Sequence, residues 1–298
     1  MNQVVFAISD ATGYYWYYTA VAMASMLSQA SEKPNILLLH DGKLSEVAVR
    51  RLNLIAQDEG APLRMLKVDL ERPIGDDKLG PYTVASLYRL LIPSLLSAED
   101  TALYLDSDLV FHGIDVHEMF ALIRANEAAL LAVRDQFIGL SDKHLEPLKA
   151  LGLDPLRYFN SGVLGFHGRA LEPSDRALFN DFLSWSRQAM FSHHPDQDFL
   201  NDRFKNRWLE LDENYNFHVS IYDRRMFLQP HAYHGKILHY AGKAKPLDGS
   251  LAPGCIPFWS YASKVPELMT SQKRFDFHYL MPIINRQHAA SALVVKPR

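Results

Sequence analysis

Short apolar runs alternate with longer amphipathic stretches along most of the chain. Val4 to Ile8 is an apolar run closed by Ser9-Asp10, which predicts a buried strand ending in a loop. Residues 15–30 predict a helix, Asn35 to His40 a second strand, and Leu44 to Glu59 an amphipathic helix stopped by Gly60 and Pro62. Leu63 to Val68 predicts a third strand. Val84 to Leu96 is apolar enough for a buried helix, which Pro93 should kink or end. Ala102 to Leu105 and Leu130 to Arg134 predict a fourth and a fifth strand. This alternation predicts an α/β fold with a mostly parallel, doubly wound sheet flanked by helices. Such sheets bind ligands beyond the carboxyl ends of their strands.

From Ala11 to Ser31 there is no charge, a length that could span a bilayer. Thr12, Gly13, Thr19, Ser25, Ser28 and Gln29 interrupt it, so a buried first helix is expected. The first basic residue is Lys33, and no charged leader region precedes it. The 298 residues carry 31 basic and 34 acidic side chains, a net charge of −3. That balance lacks the basic excess of a nucleic-acid binder. The single cysteine, Cys255, excludes an intrachain disulfide and any zinc site with several thiolates, and suits a cytoplasmic home. No G-x-G-x-x-G follows the first strand and no G-x-x-x-x-G-K-[ST] occurs, so bound phosphates must be neutralised in another way.

The most informative stretch is Tyr104-Leu105-Asp106-Ser107-Asp108-Leu109-Val110-Phe111. In extended chain, residues i and i+2 face the same side, so both carboxylates can converge on one hard divalent cation. Apolar neighbours make two unpaired charges costly without such a cation. Further on, Leu238-His239-Tyr240-Ala241-Gly242-Lys243-Ala244-Lys245-Pro246 offers an imidazole to complete that site. The mixed oxygen and nitrogen set favours Mn²⁺ over Mg²⁺. Gly242 lets backbone approach a diphosphate, and Lys245 supplies a point charge for its oxygens.

The segment Y-L-D-S-D-L-V resembles the D-x-D element of the GT-A nucleotide-sugar glycosyltransferases, and most of all the retaining family 8, which includes glycogenins and bacterial lipopolysaccharide galactosyl- and glucosyltransferases. Four further matches follow in family order. Ser86-Leu87-Tyr88-Arg89-Leu90 is similar to a helix whose Arg contacts the donor, and Phe159-Asn160-Ser161-Gly162-Val163 to a buried strand whose small residues leave room for a sugar. Pro195-Asp196-Gln197-Asp198-Phe199-Leu200-Asn201 resembles the D-Q-D-x-L-N element, and His239 to Pro246 the H-x-x-G-x-x-K-P element. Asp135, after A-V-R-D, matches the position of an acid near the donor sugar. The loop after the first strand, S-D-A-T-G-Y-Y-W, is longer than the family's, with Asp10 and Tyr15 as counterparts of its base and ribose contacts.

The resemblance implies a GT-A domain over residues 1–260 and a cation held by Asp106, Asp108 and His239. It implies a UDP-sugar donor bound by Asp10, Tyr15, Arg89, Asp106, Ser107, Asp135, Asn160, Ser161, Gly242 and Lys245. The activity implied is transfer of galactose or glucose, with retention, to a saccharide or lipid-linked glycan. Gln197 would stand near the anomeric carbon; it is a poor nucleophile, which favours a front-face reaction, with Asp196 the alternative nucleophile. Residues 239–255 are expected to close over bound donor. Residues 261–298 form a tail with six basic and two acidic side chains among aromatics, which suits either peripheral contact with anionic lipid or a helix packed on the domain. A sugar nucleotidyltransferase and a catalytically silent sugar-binding protein are the competing readings.

Overall fold

Alternate residues of the central strands point to opposite faces, and both faces are apolar. Val4, Phe6 and Ile8 of β1 (Asn2–Ile8) join one core, while Val5 and Ala7 join the other. The same division holds for Ile36 and Leu38 against Leu37 and Leu39 of β2 (Asn35–His40). Strands buried on both faces need helices on both sides. The computed structural model describes residues 1–70, 84–138, 142–187, 194–219, 230–242, 245–248, 250 and 253–270.

The remaining strands of the large sheet are β3 (Leu63–Lys67), β4 (Thr101–Leu105), β6 (Leu130–Arg134), β7 (Phe159–His167) and β8 (Trp208–Glu210). Their order is β3-β2-β1-β4-β7-β6-β8. Only β7 runs against its neighbours β4 and β6; the other pairings are parallel. A smaller sheet joins β5 (Leu109–His112), β10 (Lys236–His239) and β9 (Phe217–His218), with β10 in the middle. β5 is a strand in its own right, so Leu130–Arg134 is the sixth strand and not the expected fifth.

The uncharged run is a buried helix, α1 (Trp16–Gln29). Its polar side chains have structural work: Ser25 Oγ accepts the Phe111 N–H at 3.0 Å, and Thr19 Oγ1 donates to Ser107 Oγ at 2.9 Å. Two hydrogen bonds thus fasten the first helix to the Asp-Ser-Asp turn and the strand after it. Among the described residues no helix is long and apolar enough to cross a membrane.

The second helix, α2 (Glu46–Asp58), starts at Ser45, whose hydroxyl accepts the Ala48 N–H at 3.2 Å. It stops at Gly60, which takes φ +71°, with Ala61 N–H bonded to Ala56 O and Gly60 N–H to Gln57 O. That is the left-handed glycine stop expected at Gly60. Val84–Leu96 departs from expectation. Val84–Leu91 is a 3₁₀ helix, and a short α-helix, Ile92–Leu95, follows with Pro93 in its first turn. The helix type changes just before Pro93, and the helix ends two residues after it, at Leu95.

The expected boundary at residue 260 falls inside a packed region. Helices Ile256–Ala262 and Pro266–Thr270, with the link between them, bury Trp259, Ala262, Val265 and Leu268 in the same core as α1. Glu267 pairs with Arg51 at 2.8 Å, and Lys264 with Glu59 at 2.8 Å. The first ten residues of the expected tail therefore belong to the body, and the rest of it, 271–298, lies outside the described residues.

Candidate active site

Asp106 follows β4 directly, and Asp108 precedes β5 directly. Ser107 and Asp108 form a turn between the two strands. The two carboxylates therefore converge by a change of direction and not by the expected extended i, i+2 geometry. β10 pairs antiparallel with β5, placing His239 opposite Leu109, and the Tyr240 N–H donates to Asp108 O at 3.0 Å. His239 Nε2 lies 3.5 Å from Asp108 Oδ1 and 3.8 Å from Asp106 Oδ2. One donor atom from each of the three lies within 4.8 Å of the others.

The other oxygen of Asp106 is already taken. Arg89 Nη2 donates to Oδ1 at 2.9 Å, and the Tyr104 hydroxyl donates to the same atom at 2.6 Å. Arg89 is buried, lies over the Tyr104 ring at 4.7 Å, and also donates to the carbonyl and hydroxyl of Ser161 at 2.6 and 2.5 Å. Its Nε stands 3.4 Å from Asp196 Oδ2. Lys245 forms an ion pair with Asp108 Oδ2. Burial works against the charge of Asp108, yet Lys245 and His239 outweigh it and hold the carboxyl well below its usual range.

These residues fit a divalent cation. Asp106 Oδ2, Asp108 and His239 Nε2 face one another, and Gly162 leaves the space in which they meet. A Cβ at Gly162 would stand 2.5 Å from His239 Cε1 and 2.9 Å from Asp106 Oδ2. A slip in pairing brings that glycine there: Ala132 pairs with Leu164, but Val133 pairs with Asn160.

Beside this cluster lies a buried polar group built from β6, β7 and the helix Pro195–Arg203. Asp135 Oδ2 accepts from Asn160 Nδ2 at 3.0 Å and from Gln197 Nε2 at 3.0 Å. Its Oδ1 accepts the N–H groups of Phe137 and Ile138 at 2.7 and 3.1 Å. Burial opposes its charge, but His218 and these donors hold its pKa below the ordinary value. Gln197 Oε1 accepts the Ser161 N–H at 2.9 Å. Burial, then His239 beside it, pushes the His218 imidazole down to about 3, so it is neutral.

Residues 6–248 match the sequence profile of glycosyl transferase family 8. The chain belongs to that family. Glycosyltransferase GlyB of Streptococcus pneumoniae serotype 4 is 32% identical over 137 residues, 46% of this chain and 29% of that protein. General stress protein A of Bacillus subtilis is 25% identical over 240 residues, 74% of this chain and 76% of the relative. The apo structure of the bifunctional glycosyltransferase WbbM superposes with a TM-score of 0.71 at 20% identity, covering 91% of this chain and 51% of that one. The galactosyltransferase LgtC, solved with donor and acceptor sugar analogues, gives a TM-score of 0.67 at 21% identity, covering 88% and 95%. These likenesses fix the GT-A fold; the chain spans under a third of GlyB and about half of WbbM.

Within this family 8 chain, Asp106, Asp108, His239, Arg89, Asp135, Asn160, Ser161, Asp196, Gln197 and Lys245 form one continuous assembly. Ser107 does not face it: its hydroxyl donates to Ala7 O at 3.2 Å and accepts from Thr19. The missing side chain of Gly162 makes room for Asp106 and His239. Gly242 takes φ +84°, a left-handed turn that glycine adopts freely. Asp10 Oδ1 accepts the Tyr15 N–H at 2.8 Å, while its buried Oδ2 has no partner. The Tyr15 ring lies 5.7 Å from Lys245 Nζ. A cavity of about 330 Å³ opens beyond β1, β2 and β3, lined by Ser9, Asp41, Lys43, Val68 and Tyr88.

The D-Q-D-x-L-N segment divides its labour. Asp196 and Gln197 enter the site, but Asp198 accepts the Tyr158 hydroxyl at 2.6 Å, and Asn201 bonds both backbone groups of Phe159. Those two bind the helix to the start of β7. In the segment expected to close, Tyr240, Leu247 and Cys255 are buried in the body of the domain, and residues 243–244, 249 and 251–252 lie outside the described residues. Tyr104, Asn216 and His218 are members of the site that sequence reasoning missed. Tyr104 carried a signal, since it precedes Asp106 by two residues on one strand; Asn216 and His218 carried none.

Proposed function

We propose that the chain transfers galactose or glucose from a UDP-sugar, with retention, to a saccharide or lipid-linked glycan. The observation that carries this reading is the meeting of Asp106, Asp108 and His239 beside Lys245, with Gln197 and Asp196 across a shared network. Asp106, Asp108 and His239 would hold Mn²⁺ or Mg²⁺, which supplies Lewis acidity toward the departing diphosphate. Lys245 adds positive charge where negative charge develops on that group. Asp10 would contact base or ribose, and the cavity lined by its neighbours Ser9 and Ala11 supports that placement.

Gln197 and Asp196 favour the front-face route. Asp196 Oδ2 lies 3.4 Å from both Arg89 Nε and Ser161 Oγ, which lowers the power of that oxygen as a nucleophile. Gln197 is fixed at both ends of its amide and can present only a polar edge to the anomeric centre. The buried Cys255 suits a reducing, cytoplasmic setting. Membrane contact through the tail rests on sequence composition alone, and co-sedimentation with anionic vesicles tests it.

The deciding experiment is thermal unfolding with UDP, ADP, GDP and CDP, each with and without Mn²⁺, followed by UDP release from UDP-galactose and UDP-glucose. A ligand at 100 times its Kd stabilises by about 2.7 kcal/mol. A UDP-specific shift that needs Mn²⁺ and vanishes in Asp106→Ala is expected. Binding without turnover on any acceptor selects the silent binding protein; no shift with any nucleotide removes the donor class altogether.

A further inference from the structure

We propose that Asn216 is a positioning residue that fixes which nitrogen of His239 faces the two aspartates, an inference that rests on the cation reading of that cluster. The Gly162 N–H donates to one end of the Asn160 amide at 2.9 Å, so that end is oxygen. The other end faces Asp135 Oδ2 at 3.0 Å, where only a nitrogen can donate. The Asn216 side chain meets Asn160 Oδ1 at 2.9 Å, and only its amide nitrogen can serve there. Its amide oxygen is thereby turned to His239 Nδ1, 2.8 Å away. An amide oxygen only accepts, so Nδ1 carries the hydrogen and Nε2 keeps its lone pair.

The direction matters because a neutral imidazole beside two carboxylates gains more from the opposite choice. With its hydrogen on Nε2, it would donate to Asp108 or Asp106 and could not bind a cation. Asn216 works against that preference from the far side of the ring. It is placed to do so: it ends the 3₁₀ turn Glu213–Asn216, is wholly buried, and leads into β9, which pairs with β10 at His239. His218, two residues later, meets the His239 ring edge-on at 5.0 Å and 83° and holds its plane. The relay Gly162, Asn160, Asn216, His239 thus carries orientation from a backbone N–H to a metal-binding lone pair.

The test uses the full chain and Mn²⁺ alone, with free Mn²⁺ read from its EPR signal. Asn216→Leu is expected to lose ~10–100-fold in Mn²⁺ affinity. Asn216→Asp, whose carboxylate still accepts from Nδ1, is expected to stay within about tenfold of wild type. Asp108→Asn serves as the reference: if it too leaves affinity unchanged, the cation reading itself fails. If Asp108→Asn weakens binding and Asn216→Leu does not, the role of Asn216 is overturned. A second measurement needs no metal and no folded Leu variant. In histidine-¹⁵N-labelled, metal-free protein near pH 9, with His239→Gln for assignment, the His239 hydrogen is expected on Nδ1. A hydrogen on Nε2 in the wild type overturns the proposal.

Discussion

Gly162 and His239 meet where a side chain on the glycine has no place: its Cβ would stand 2.5 Å from His239 Cε1. The strand cannot retreat, because Gly162 O accepts the Asp106 N–H at 2.8 Å and Gly162 N–H donates to Asn160 at 2.9 Å. Gly162→Ala must therefore move the imidazole or Asp106. The expected result is a loss of Mn²⁺ affinity of more than about tenfold, with a stability cost of about 1–3 kcal/mol from overpacking. Metal titration and urea unfolding on the same sample separate the two effects. Unchanged Mn²⁺ affinity would show that the ring has another place to sit.

Asp135 gathers four donors on one buried carboxylate: Asn160, Gln197, and the N–H groups of Phe137 and Ile138. Asp135→Asn turns an NH₂ toward some of them and should cost about 1–3 kcal/mol at pH 7. The native pKa is lowered, so ionised Asp135 stabilises the fold above the ordinary value near 3.9, and that contribution fades as pH falls through the native pKa. The stability gap between wild type and variant is therefore full at pH 6–7 and narrows on acidification below about pH 4. Denaturant midpoints across that range check it; a gap that widens in acid contradicts the assignment.

The sheet was legible because its strands are apolar on both faces and its helices carry ordinary stop signals, such as Gly60. The Asp106–Asp108–His239 set was legible because residue types with one shared chemistry recur with Gly and Lys at fixed spacing. What escaped is tertiary. The turn at Ser107 depends on Thr19 and Ser25, which read in sequence only as polar interruptions of an apolar run. The 3₁₀ geometry of Val84–Leu91 places Arg89 between Asp106 and Ser161, contacts 17 and 72 residues away that no local pattern encodes. Asn216 stands in a polar segment where nothing marks it off from its neighbours.

Lys245 holds Asp108 by an ion pair that a cation must share. Removing it has opposite consequences for two ligands. In Lys245→Met, Asp108 loses a competing positive charge, so Mn²⁺ binding without nucleotide tightens or holds. The diphosphate loses a point charge, so UDP binding weakens by about tenfold, the scale of one charge-assisted contact worth about 1.4 kcal/mol. Calorimetry of Mn²⁺ alone, then of UDP at saturating Mn²⁺, gives both signs. Parallel losses for the two ligands would mean that Lys245 organises the site and does not contact phosphate.

Gln197 offers a test in which pH supplies the control. Its Nε2 donates to Asp135 Oδ2 at 3.0 Å, while its Oε1 accepts from Ser161. Gln197→Glu keeps the acceptor and replaces the donor with an oxygen facing a buried carboxylate. Two like charges that close cannot both persist, so the pair retains a proton above the ordinary carboxylate range. While that proton is held, it restores the lost hydrogen bond; when it leaves, the two oxygens repel and the side chain swings off Asp135. The activity of the Glu variant relative to wild type is therefore expected to be highest near pH 5 and to fall toward pH 8. Gln197→Ala, which has no proton to lend, should be impaired by the same factor throughout. Equal and flat ratios for both variants would mean that the contact with Asp135 does not position Gln197 for the reaction.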